Sequence, residues 1–175
     1  MARHIYHCAV RWSDMDAYGH VNNVVFVRYL EEARVDLLFR VARAANMTSF
    51  SEGSVVARHE IDYVKPLFHR PEPVVVETWV TRITAATATL AYEIRDADQP
   101  LDTADTEAAG SRPGGGTAPG EVYVRAKTMI CPYDLAAQKP RRVTDEEREF
   151  LERYLDDGPP GVRAKRGDGS GALVA

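Results

Sequence analysis

From Val24 to Ala44 the chain contains neither proline nor glycine, and Phe26, Tyr29, Leu30, Ala33, Leu37 and Val41 recur at helical spacing. One apolar stripe on so long a helix needs a broad apolar surface to cover it. Everything large that follows is written in period two, so the partner is a sheet. In residues 55 to 64, Val55, Ala57, His59, Ile61 and Tyr63 alternate with Arg58, Glu60 and Asp62, and Pro66 closes the segment. Residues 74–84 and 88–95 read as two more strands joined tightly, and 122–131 as another, stopped by Pro132. A first strand precedes the helix over residues 5–12, with Tyr6, Cys8, Val10 and Trp12 on one side. One strand, one long helix and then a run of strands predicts an α+β fold with an antiparallel sheet packed on the helix.

Two stretches lack the large apolar groups of that core. Residues 98–120 are rich in Gly, Pro, Thr and Asp and predict a long mobile loop, and residues 158–175 repeat that composition and predict a disordered tail. Residues 1–157 then form a single domain, closed by a short helix that Thr144 and Glu147 open as a capping box.

Charge narrows the function. A formal net charge of -4 gives no basic excess for a nucleic-acid backbone, and no apolar run reaches the length of a membrane span. The start, MARHIYHCAV, lacks the apolar centre of a signal peptide, which predicts a cytoplasmic protein. Cys8 and Cys131 sit in strand segments without metal-ligand spacing and read as buried thiols. His4, His7, His59 and His69 are scattered and read as surface or satisfied strand histidines. The late GDGSGA has the glycines of a nucleotide loop but neither the strand before nor the helix after, and no metal or redox cofactor is signalled.

The chemistry concentrates in SDMDAYGHVNN, just before the helix. Asn22 or Asn23 suits the N-cap. A helix N-terminus presents unpaired N–H groups and partial positive charge, which would stabilise a carbonyl oxygen acquiring negative charge. Gly19 permits dihedrals closed to other residues. Asp16 lies seven positions before Asn23 on the same loop, where its carboxylate is placed to attack an acyl carbon or to activate water. A plainer reading stands beside this one: Asp14, Asp16, His20 and Asn22 bond the loop's own amides. Spacing alone leaves both open.

The run Asp14-Met15-Asp16-Ala17-Tyr18-Gly19-His20-Val21-Asn22-Asn23, followed by FVRYLEEAR, resembles the signature of the 4-hydroxybenzoyl-CoA thioesterase-like acyl-CoA thioesterases of the hotdog fold. Its His-Val-Asn-Asn version is most similar to the branch acting on fatty acyl thioesters, and weaker likeness extends from about Tyr6 to Leu155. The resemblance implies a curved antiparallel sheet wrapped around the central helix, in homodimers or homotetramers with active sites at subunit junctions. It implies that Asp16 is the catalytic carboxylate, that Asp14 supports it, and that the backbone amide of Asn23 polarises the thioester carbonyl, with Asn22, Gly19 and His20 shaping that end. The substrate would be an acyl-CoA or an acyl carrier protein thioester, coenzyme A being product rather than cofactor. Phe26, Tyr29 and Tyr63 are candidates for an acyl channel, and Lys65, Arg70 and Arg82 for the nucleotide phosphates. The turn TAAT after residue 83 carries no basic residue, unlike some members of the family, and the 98–120 insertion is long for it. A non-catalytic acyl-CoA-binding hotdog module and a hotdog dehydratase or hydratase are the competing expectations.

Overall fold

The computed structural model describes residues 2–97 and 120–156. Strand β1 (His4–Cys8) leads through a 3-10 turn (Trp12–Asp14) to helix α1 (Asn23–Val35). The helical path continues as a π-helical segment (Asp36–Val41) and one last turn (Ala42–Ala44), and a short helix (Ser49–Glu52) follows. Then come β2 (Ser54–Tyr63), β3 (Val74–Ile83), β4 (Ala88–Asp96), β5 (Val122–Asp134), the two-residue β6 (Lys139–Pro140) and a C-terminal helix (Asp145–Glu152). The sheet runs β1-β3-β4-β5-β2, antiparallel at every step, with β6 hanging on β5. It curls as a half-barrel around the helix, which is the expected hotdog arrangement.

The apolar stripe explains the docking. Phe26, Tyr29, Leu30, Ala33 and Leu37 are all buried, against Val74, Val76 and Val80 of β3, Leu90 and Ile94 of β4, and Val124 and Ile130 of β5. Each such aliphatic side chain removed from water is worth roughly 1.5–3 kcal/mol. The neighbouring π-helical winding was not visible in the periodicity, which predicts one regular helix to Ala44. The wider turn lets the consecutive Leu37 and Leu38 both face the core, and at its start Asp36 meets His4 Nε2 of β1 at 3.0 Å.

Three strand expectations need correction. β1 ends at Cys8, and the 3-10 turn swings Trp12 out to 77% exposure, so the alternation does not carry through to it. A bulge between Val56 and Arg58 slips the register by one, so Val56, not Val55, stands across from Ile130 and shares a face with His59, Ile61 and Tyr63. Pro132 does not stop β5. It pairs with Ser54, its carbonyl accepts from the Arg141 N–H at 3.0 Å, and the Tyr133 N–H continues the ladder to Gly53 at 3.0 Å, so no bond is lost to the ring.

The capping box forms: Thr144 Oγ1 accepts from the Glu147 N–H at 3.2 Å, and Glu147 Oε2 from the Thr144 N–H at 2.9 Å. Cys8 and Cys131 are free and buried. Burial pushes the Cys8 thiol up to about 12, so it stays protonated and inert. The expected loop at 98–120, Gly120 apart, and the expected tail at 158–175 lie outside the described residues.

Candidate active site

Asp14 anchors the loop from beneath. Its buried carboxylate Oδ2 accepts from the Arg11 N–H at 2.9 Å and from the Tyr29 hydroxyl at 2.6 Å, while its carbonyl accepts from the Asn22 N–H at 2.9 Å. Burial, and then the Asp14 carboxylate, push the Tyr29 hydroxyl well up, so it remains a donor. The far side of the loop is tied to the chain after β2, because the Val21 N–H donates to the Leu67 carbonyl at 2.7 Å.

On that base Asp16 heads a tight turn. Its N–H donates to the His20 carbonyl at 2.9 Å, and its carbonyl accepts from the Gly19 N–H at 3.1 Å. Gly19 closes the turn at φ 81°, the left-handed conformation glycine adopts without a Cβ penalty. Of the side-chain oxygens, Oδ1 accepts from the Tyr18 N–H at 2.8 Å, and Oδ2 stands 3.6 Å from His20 Nδ1. The Asp16 side chain keeps 23% of its surface exposed, so one oxygen is spent on the turn and the other remains reachable.

Asn22, not Asn23, is the N-cap: its Oδ1 accepts from the Val24 N–H at 3.0 Å. The Val25 N–H goes to the Asn22 carbonyl at 2.9 Å, and Phe26 donates to the same oxygen at 3.4 Å. That leaves the Asn23 N–H without an acceptor among the described residues, on an exposed residue at the positive end of the helix. The Tyr63 hydroxyl donates to the Asn23 carbonyl at 3.2 Å and so joins this end to β2.

The other candidates separate. Phe26 is buried between the Tyr29 and Tyr63 rings, at centroid distances of 6.1 and 5.9 Å. Tyr29 is fully buried with its hydroxyl committed to Asp14, whereas Tyr63 is half exposed. Lys65 pairs with Glu121, and Arg70 pairs with Asp96 and reaches the Tyr123 hydroxyl at 3.3 Å. Arg82 is on the sheet face turned away from α1, in a groove of about 350 Å³ with Arg58, Glu60, Thr89 and Lys127. The structure thus gathers Asp16, Gly19, His20, Asn22, Asn23, Phe26 and Tyr63 about one helix end and sets Arg82 apart from them.

Sequence reasoning missed the aromatic rim of this loop. Tyr18 stacks on His20, and Phe68 meets the same imidazole edge-on at 5.9 Å, while Trp12 meets His69 edge-on at 5.5 Å. Tyr18 is 77% and Phe68 58% exposed, an unusual display of apolar surface beside a carboxylate. Tyr18 was legible inside the motif. Phe68 lies far along the chain, and only the His20–Phe68 bridge brings it in.

The curled sheet, the central helix and an acid-bearing loop at its N-terminus define a hotdog protein of the acyl-thioester class. The profile of the thioesterase-like superfamily matches residues 10–151, and the chain belongs to that superfamily. Its class of chemistry is thioester hydrolysis. Among solved structures it is similar to the PA2801 protein from Pseudomonas aeruginosa, at 30% identity over 83% of this chain and 95% of that one, with a TM-score of 0.60. It is also similar to a thioesterase from Thermus thermophilus complexed with coenzyme A and zinc (22% identity, 89% and 95% covered, TM-score 0.61). A 1,4-dihydroxy-2-naphthoyl-CoA thioesterase from Synechocystis matches at 16% identity, with 90% and 100% covered and a TM-score of 0.62. A comparison with curated proteins by sequence gives no match.

Proposed function

We propose that the chain hydrolyses an acyl-CoA, of the fatty acyl kind, to the free acid and coenzyme A, with Asp16 as the catalytic carboxylate. The observation that carries this reading is the pairing, on one short loop, of the Asn23 N–H left without an acceptor and a carboxylate with one oxygen held and one reachable. The thioester carbonyl oxygen sits at the Asn23 amide, where the charge of a tetrahedral intermediate is offset by the helix end. Asp16 takes a proton from water as the water oxygen bonds to the acyl carbon. The intermediate then collapses, the carbon–sulfur bond breaks, and the coenzyme A thiolate leaves and takes up the proton. A thiolate leaves readily, so the site requires no strong general acid. His20, 3.6 Å from Asp16 Oδ2, orients that oxygen.

The working form is a homo-oligomer. β2 is a ten-residue edge strand, paired on one side only among the described residues, and nearly every residue in it is exposed, including Val55, Val56 and Tyr63. An unprotected edge of that length is a template for pairing with a second copy. Tyr63 ends this strand and touches the Asn23 carbonyl, which supports a site beside that junction.

Purified protein assayed for free thiol against a panel of acyl-CoAs, aryl-CoAs and acyl carrier protein thioesters tests the reading. Release is expected with the acyl-CoAs and is lost in Asp16→Asn. Tight acyl-CoA binding with no release on any substrate would instead make the chain a binding module.

A further inference from the structure

Arg34 projects from α1 into the interior and is 9% exposed. Its Nη1 is buried with no hydrogen-bond partner among the described residues. Nη2 has one carboxylate near it, Glu31 at 3.6 Å, and Glu31 is itself 61% exposed. The Tyr92 hydroxyl of β4 is also buried, with the Arg34 guanidinium and the Thr128 hydroxyl beside it. At the rim His59 of β2 shares a 2.9 Å hydrogen bond with Thr128 of β5, and burial, then the Arg34 charge, lower the His59 pKa, leaving a neutral ring. A buried guanidinium with an idle donor is expensive to keep. Such a cluster suits an incoming planar anion, and a carboxylate matches the guanidinium fork best.

Its place relative to the candidate site suggests where the anion comes from. α1 and the inward face of β2 border one seam. At one end are Asn23 and Tyr63, hydrogen-bonded to each other, with Phe26 against the Tyr63 ring. At the other end are Arg34 and His59. From Asn23 to Arg34 is eleven helical residues, or about 16 Å, and from Tyr63 to His59 four strand residues, or about 14 Å. Between them the packing is apolar, with Leu30 of the helix buried in the core and Ile61 of the strand packed against it. An extended alkyl chain of roughly eleven to thirteen carbon–carbon bonds covers that span, each bond of about 1.5 Å advancing about 1.25 Å along the zigzag.

We infer that Arg34, with the Tyr92 hydroxyl and the His59–Thr128 pair, forms a distal pocket for a carboxylate at the far end of the acyl group, so that the favoured substrates are CoA monothioesters of medium-chain dicarboxylic acids. This rests on the hydrolase reading for the position of the thioester. Arg34 is a specificity-determining residue in it, remote from the reacting atoms.

The test uses thioethers, which no hydrolase can cleave: S-dodecyl-CoA against its ω-carboxylated counterpart, bound to the full chain at neutral pH and read by calorimetry. The carboxylated ligand is expected to bind at least about tenfold tighter, the scale of one charge-assisted contact. Arg34→Gln removes the difference and Arg34→Lys keeps part of it. A hexyl pair, too short to span the seam, shows no preference, a control within the wild type that needs no variant to fold. Equal affinities for the dodecyl pair, a preference that survives Arg34→Gln, or binding of neither ligand would overturn the pocket. A fall in oligomeric mass in Arg34→Gln with the affinity ratio unchanged would assign the guanidinium to a subunit contact and overturn it too. The thiol-release assay decides the hydrolase reading separately, since these affinities are read without turnover.

Discussion

The hydroxyl of Tyr29, on the core face of α1, donates to Oδ2 of Asp14 at 2.6 Å, and this contact fastens the central helix to the loop that carries Asp16. The turn begins two residues after that anchor, so any loosening of the Tyr29–Asp14 pair is felt directly at the candidate catalytic carboxylate.

Tyr29→Phe leaves the ring packed but takes one of two donors from a buried carboxylate. The expected cost is about 1–3 kcal/mol, the range for a buried polar group losing its partner. Urea unfolding measures it. Thiol release should fall with it, by less than in Asp16→Asn, because the Arg11 amide still holds Asp14.

Asp16→Asn keeps the shape and the Tyr18 contact, since an amide oxygen accepts the same N–H, but it cannot take a proton from water. kcat is expected to drop by at least about a hundredfold with the melting temperature little changed. Steady-state kinetics beside a thermal melt check this, and unaltered kcat would remove Asp16 from the mechanism.

Gly19→Ala isolates backbone strain. No atom lies within 4 Å of an added Cβ, so the only penalty is that of φ 81° for an L residue, about 1–2 kcal/mol. Denaturant titration should return that figure. A much larger loss would mean that the turn opens instead of tolerating the strain.

Glu147 makes stability depend on acid. Burial by itself would raise its carboxyl, but hydrogen bonds from Arg141 (2.7 and 2.9 Å) and the Thr144 amide outweigh burial and hold its pKa below the ordinary glutamate value. A folded pKa below the unfolded one means that the unfolded chain binds the extra proton first. The contribution is therefore complete above the unfolded value of about 4.3 and is lost as pH falls through the lower folded value. Unfolding free energies measured from neutral pH downward should decline in that window more steeply in the wild type than in Glu147→Gln.

Val55→Lys places a charge on an exposed position of the edge strand β2, where a second copy would pair. The mass in solution, by light scattering on a sizing column, is expected to drop from oligomer to monomer. A wild-type chain that is already monomeric would remove β2 as the junction.

Much of this was legible in the sequence because it is local. The 3.6-residue stripe on α1, the period-two segments and the Thr144–Glu147 box each depend on residues a few positions apart, and each formed. The motif loop was legible for the same reason: Asp16, Gly19 and His20 close their turn among themselves, and Asn22 caps the helix it precedes. The misreadings share a cause as well. The slip at Val56, the passage of β5 through Pro132 and the exit of Trp12 are settled by which backbone groups find partners across the sheet or in the adjoining turn.

Only the tertiary structure could separate Asp14 from Asp16. In the sequence they are two acids on one loop. In the fold one is sealed beneath Tyr29 and the other keeps a reachable oxygen, because burial is decided by a helix face fifteen residues away. The same holds for Arg34, one more arginine on a long helix until β2, β4 and β5 close around it. Periodicity sets which face of an element is apolar, but whether a polar side chain is paired, stranded or in water depends on neighbours that chain topology brings together.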